Sequence, residues 1–135
     1  MYESVRYCGM CRDCGAELEC RGVQALVDGR LRGDVESACS ACGFAVAVCG
    51  GDLPSERRDQ LLAEHGPATL RVSGPSAKNA VIMRVLRAEL GVDLVSARVL
   101  LGRALSGDCS GTGPEMELLA RGLRASGIAA AVTRA

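Results

Sequence analysis

Two short stretches decide how this chain folds: Cys11-Arg12-Asp13-Cys14-Gly15 and Cys39-Ser40-Ala41-Cys42-Gly43. Each reads C-x-x-C-G. A turn of this kind presents two thiolates from one side of a tight loop. Its glycine lets the backbone fold beneath them and aim amide hydrogens at the sulfurs. Two such turns supply four sulfurs, the tetrahedral set that Zn2+ takes at about 2.3 Å from each. Cys11, Cys14, Cys39 and Cys42 are therefore the candidate ligands of one structural Zn2+. A site closed by four thiolates keeps no open position for a substrate. Cys8-Gly9-Met10-Cys11 is a further C-x-x-C, so Cys8 in place of Cys11 or Cys14 stays open from the sequence. Cys20, Cys49 and Cys109 read as buried thiols on strands, with no metal spacing.

Working outward, 24 residues separate Cys14 from Cys39, room for one hairpin. Glu17–Val27 and Arg30–Ala38 are its arms, and Asp28-Gly29 is its turn, because a type I′ turn needs φ > 0 at both central positions. Phe44–Cys49 alternates small with β-branched or aromatic side chains and adds a third strand. Residues 1–10 read as a short lead-in. Residues 1–51 thus form a three-stranded zinc ribbon pinned at one end by metal. Pro54–His65 is helical, with proline at a first position and Gly66-Pro67 as the stop. Residues 52–67 are read as a helical connector or a brace for one of the modules.

The 135-residue chain is 48% apolar but only 2% aromatic, so its core is aliphatic. Sixteen basic and sixteen acidic residues cancel overall. Residues 1–66 hold 7 Arg/Lys against 11 Asp/Glu, and residues 67–135 hold 9 against 5. The cysteine-rich half is the acidic one, which argues against a ribbon that grips phosphates. Met1–Met10 has no apolar signal segment and no run spans a membrane. A reducing cytoplasm is the expected compartment, where paired cysteines bind metal more often than they form disulfides.

Residues 68–135 carry a second module. Thr69–Ser73 alternates as a strand, and Gly74-Pro75-Ser76 is a turn with Ser76 as helix N-cap. Apolar residues at 81, 82, 85, 86 and 90 mark a helix over 77–90. Leu94–Leu105 is a second helix, and a third runs from Pro114 to Ala125. Ile128–Thr133 closes as a strand, and Ser106–Ser110 is the weak middle strand. The expectation is an α+β fold: the ribbon, then β-α-α-β-α-β with helices on one face of a small sheet.

Val81-Ile82-Met83-Arg84-Val85-Leu86-Arg87, Gly91-Val92-Asp93-Leu94, Ala97-Arg98 and Ser126-Gly127 follow one another as in a known pattern. Residues 69–134 resemble the C-terminal domain of the bacterial ribosomal stalk protein, which recruits translational GTPases. The resemblance implies a partner-binding face on the first two helices, at Arg84, Arg87 and Arg98, with Lys78 or Asn79 near the family's entry lysine. Asn79 and Asp93 depart from the family pattern. A zinc ribbon stands where the stalk protein has its dimerisation segment and hinge. The resemblance therefore implies a stalk-like fold reused as an interaction module.

With one histidine, His65, no nucleophile–base constellation and no phosphate cradle, the sequence displays no catalytic machinery. The expected function is a non-enzymatic cytoplasmic zinc-binding adaptor for an acidic protein partner, linked through the resemblance to translation factors or the ribosome. The alternatives are a nucleic-acid-binding ribbon and a thiol redox switch.

Overall fold

The computed structural model describes residues 1–73 and 78–134. The Gly74-Pro75-Ser76 turn, the Ser76 cap and Ala77 lie outside the described residues. The chain is α+β and divides into two compact units, Met1–His65 and Gly66–Ala135.

The first unit is a four-stranded antiparallel sheet in the order β1-β2-β3-β4, made of Tyr2–Met10, Glu17–Val27, Arg30–Ala38 and Ala45–Val48. Asp28 at φ 51° and Gly29 at φ 73° close β2 onto β3, the double positive φ that the Asp-Gly pair predicts. The three-stranded expectation is corrected here: the presumed lead-in is β1, paired with β2 from Tyr2–Ala25 to Met10–Glu17. Glu3, Val5 and Tyr7 point to one face of it, with Glu3 and Val5 buried and Tyr7 partly so. A buried glutamate at the head of that series hides the period-2 signal.

Helix α1, Ser55–His65, covers this face. Leu61 is fully buried, and the Arg57 guanidinium stacks 3.9 Å over the Tyr7 ring. Gln60 donates to the Arg6 carbonyl at 2.9 Å, and His65 Nε2 sits 2.8 Å from the Ser4 carbonyl. The helix read as a connector or a brace thus braces β1. The segment leading into it crosses β3 closely. A Cβ on Gly33 would lie 2.5 Å from the Leu53 backbone nitrogen, so only glycine fits.

The second unit runs β5 (Ala68–Ser73), α2 (Asn79–Leu90), α3 (Leu94–Ser106), β6 (Ser110–Gly111), α4 (Gly113–Ala125) and β7 (Ala129–Arg134). Its sheet order is β6-β5-β7, antiparallel throughout. The middle strand expected over Ser106–Ser110 is corrected to the two residues Ser110–Gly111, because α3 continues to Ser106 and ends on Gly107 at φ 83°. Ala68 and Leu70 turn one face of the sheet toward Ile82, Leu86, Leu101, Leu119 and Leu123 of the three helices. Thr112 and Glu115 form a reciprocal capping box that starts α4. Asp93, a departure from the stalk pattern, is the N-cap of α3 and accepts from the Ser96 N–H at 2.7 Å. Among the described residues no helix is long and apolar enough to cross a membrane.

Candidate metal centre

The β1–β2 and β3–β4 connections each end in one C-x-x-C-G turn, and the two turns share a hydrogen-bond plan. Cys11 N–H donates to the Ala16 carbonyl at 2.8 Å, and Cys39 N–H donates to the Phe44 carbonyl at 2.7 Å. Gly15 N–H donates to the Cys11 carbonyl and Gly43 N–H to the Cys39 carbonyl, both at 2.9 Å. Gly15 at φ 75° and Gly43 at φ 79° supply the left-handed residue that this turn requires. Equal spacing in sequence has given equal backbone geometry.

Because β2 and β3 pair in register, the two turns meet at one end of the sheet. Cys11 Sγ lies 3.7 Å from Cys42 Sγ, and Cys14 Sγ lies 3.6 Å from Cys39 Sγ. All four sulfurs fall within 4.8 Å of one another. Ligands at about 2.3 Å from a tetrahedral centre stand about 3.8 Å apart. The observed separations suit that arrangement and are far too long for disulfides, whose sulfurs lie about 2.05 Å apart. The four-cysteine group could therefore hold a metal ion. Cys11 and Cys39 are buried, while Cys14 and Cys42 sit at the surface.

Backbone amides converge on the sulfurs. The N–H groups of Cys42 and Ala41 stabilise the Cys39 thiolate and bring that thiol down to about 7. The Phe44 N–H acts the same way on Cys42, but desolvation and the crowding thiols outweigh it and push Cys42 up to about 12. Cys14 accepts from the Ala16 N–H, yet the Cys39 thiol and desolvation leave it raised. Four thiols so close cannot all ionise side by side, and a cation among them removes the conflict.

Cys8 is not part of this group. It lies exposed on β1 opposite Glu19, and its hydrogen bond to the Glu17 carboxylate raises its thiol. Cys20 is buried on β2 and accepts from Ser37 Oγ at 3.4 Å. Cys109 is buried in the second unit's core, where desolvation raises it. Cys49 departs from the expected buried strand thiol: it is exposed just beyond β4, which ends at Val48 before Gly50-Gly51.

In the second unit, Arg84 and Arg87 share a face of α2 and border a groove of about 620 Å3 with Met83 and Leu94. Arg98 stands one turn beyond Leu94 on α3, so the two share a helix face. All three arginines are exposed, and among the described residues none makes a hydrogen bond or ion pair. Leu94, Val95 and Val99 beside them are exposed at 51%, 74% and 53%. The sequence marks the arginines but not this apolar strip: helical spacing predicts Leu94 inward with Ala97, Leu100 and Leu101, and that expectation is corrected here, because Leu94 at the first position of α3 stands exposed while Ala97 and Leu101 are buried. Lys78 differs from the arginines, because its Nζ donates to the Gly127 carbonyl at 3.0 Å and ties α2 to the end of α4.

No family model, characterised protein or solved structure matches the chain.

Proposed function

We propose that this protein is a non-enzymatic, cytoplasmic adaptor with one structural Zn2+, and that its second unit docks an acidic protein partner through α2 and α3. The zinc assignment draws on the all-sulfur donor set and its tetrahedral separations. The ion would hold the two turns together and leave no position for a substrate. His65 Nε2 lies 2.8 Å from the Ser4 carbonyl, where it ties α1 to β1.

The observation that carries the docking reading is the surface on α2 and α3. Arg84, Arg87 and Arg98 are exposed cations that make no hydrogen bond or ion pair among the described residues, Arg87 being partly balanced by the Asp93 carboxylate nearby, and they are set beside exposed Leu94, Val95 and Val99. An amphipathic segment with acidic flanks complements both features, its apolar side on the strip and its carboxylates on the arginines. On the sequence resemblance to the stalk domain alone, a translational GTPase or a ribosome component is the first candidate.

Affinity capture from the native host tests the reading. A specific partner is expected on the wild-type chain, weakened by added salt and lost on combined Arg84→Glu and Arg87→Glu. Capture that survives the double reversal overturns the assignment. Native against denaturing mass tests the metal: a difference of one zinc per chain is expected, and none or two overturns the single closed site.

A further inference from the structure

Strand β4 is the open edge of the first sheet, bonded to β3 alone. Its residues Ala45-Val46-Ala47-Val48 are all exposed, Val46 at 45% and Val48 at 61%. Sheet edges are ordinarily protected by charges, proline or a bulge. This edge has neither a charge nor a proline, and its pairing with β3 runs without a bulge.

The ladder fixes which backbone groups are free. Cys39 N–H donates to the Phe44 carbonyl, and that pair lies in the same register as Ser37–Val46 and Val35–Val48. Hydrogen-bonded pairs recur at every second residue. Val46 and Val48 therefore turn their N–H and C=O toward β3, while Ala45 and Ala47 turn theirs outward. The side chains divide in the same rhythm. Val46 and Val48 stand on one face of the sheet, Ala45 and Ala47 on the other.

The alanine face carries charge close by. Ala38, Ala45 and Ala47 leave a groove of about 830 Å3, into which Glu17, Glu19 and Glu36 also fall, against Arg6 and Arg21. Glu36 is directly opposite Ala47, exposed, and without a hydrogen bond or ion pair among the described residues. Arg21 is opposite Glu36 on β2, but its guanidinium donates to Ser4 Oγ at 3.5 Å.

We propose that β4 captures an extended segment of a protein partner as a fifth strand, apolar opposite Val46 and Val48 and basic opposite Ala47. An added strand lies about 4.8 Å beyond β4 and about 9.6 Å from β3. The short Ala47 side chain lets an arginine on that strand reach across β4 to the Glu36 carboxylate. Main-chain bonds come from Ala45 and Ala47, and specificity comes from the alternating side chains. A second copy of this chain fits less well. In any two-fold antiparallel pairing of β4 through its outward groups an alanine faces an alanine, which brings Glu36 no counter-charge. This edge is a separate site from the α2–α3 surface and stands or falls independently of it.

The test uses the 15N-labelled, zinc-loaded full chain and two synthetic peptides, Thr-Val-Arg-Val-Thr and Thr-Val-Glu-Val-Thr. Saturable shifts of the Ala45–Val48 amides are expected, with the arginine peptide roughly fivefold tighter. Glu36→Lys reverses that preference. Ala47→Pro removes an outward N–H, which an edge strand tolerates, and abolishes binding. Shifts that miss β4, equal affinity for both peptides in wild type and Glu36→Lys, or a dimer that protects the β4 amides without peptide each overturn the proposal.

Discussion

In residues 1–65 the buried apolar side chains are Val5, Leu26 and Leu61 with the sulfurs of Cys11, Cys20 and Cys39. In residues 66–135 a thirteen-residue cluster of largely aliphatic side chains, including Leu70, Leu86, Leu119 and Leu123, fills the space between sheet and helices. The lengths are nearly equal, yet the cores are not. A unit this small and poor in buried carbon lacks the hydrophobic free energy to offset chain entropy, and a structural metal is the usual remedy. The second unit supplies that free energy from leucine, valine and isoleucine and has no comparable need. The cysteines of the first unit thus stand where the second has hydrocarbon.

Removing the metal should bring out that difference most strongly. Structural zinc contributes roughly 10–16 kcal/mol to folding in small peptides. A strong chelator is expected to collapse the amide dispersion of residues 1–65 while the signals of the second unit's core persist. An intact β1–β4 sheet after complete stripping would break the contrast. Next in size is Leu123→Ala, which empties a fully buried position on α4. It should lower the second unit's stability by about 2–5 kcal/mol in denaturant titration with the zinc content unchanged. A loss under 1 kcal/mol would show that this core is less tightly filled than its burial implies. Smaller again is Gly33→Ala in the first unit, where the new Cβ meets the Leu53 backbone. About 1–3 kcal/mol of destabilisation is expected by thermal unfolding of the zinc-loaded chain, and a neutral result would mean that the crossing segment yields freely.

The same contrast governs what could be read from residues alone. The metal group was legible because thiolate chemistry fixes both residue type and spacing, and the two turns repeat it at Cys11–Gly15 and Cys39–Gly43. The order of the second unit was legible because its helices bury a face at 3.6-residue spacing, as at Ile82, Val85 and Leu86. Strand β1 was not, because its inward set begins with Glu3 and its outward set includes Tyr2 and Met10, which reverses the polarity that a strand pattern relies on. The cap at Thr112 stands in the sequence as Thr-x-x-Glu before an apolar run, and it starts α4 at Gly113, one residue ahead of the Pro114 start that proline alone suggests. Cys8 against Cys11 could not be decided from spacing, since both belong to a C-x-x-C. Only the pairing of Cys8 with Glu19 removes it from the group.

The Asp28-Gly29 turn has a consequence for kinetics. The sulfurs that meet at the metal centre are 25 and 31 residues apart along the chain, so bringing them together from an open coil means closing two long loops. A hairpin that nucleates at its own tight turn and zips toward its open end delivers Cys14 and Cys39 side by side without that search. The turn at the far end of β2 and β3 would thereby set how fast a metal ion is captured between the four sulfurs, although it lies at the opposite end of the hairpin.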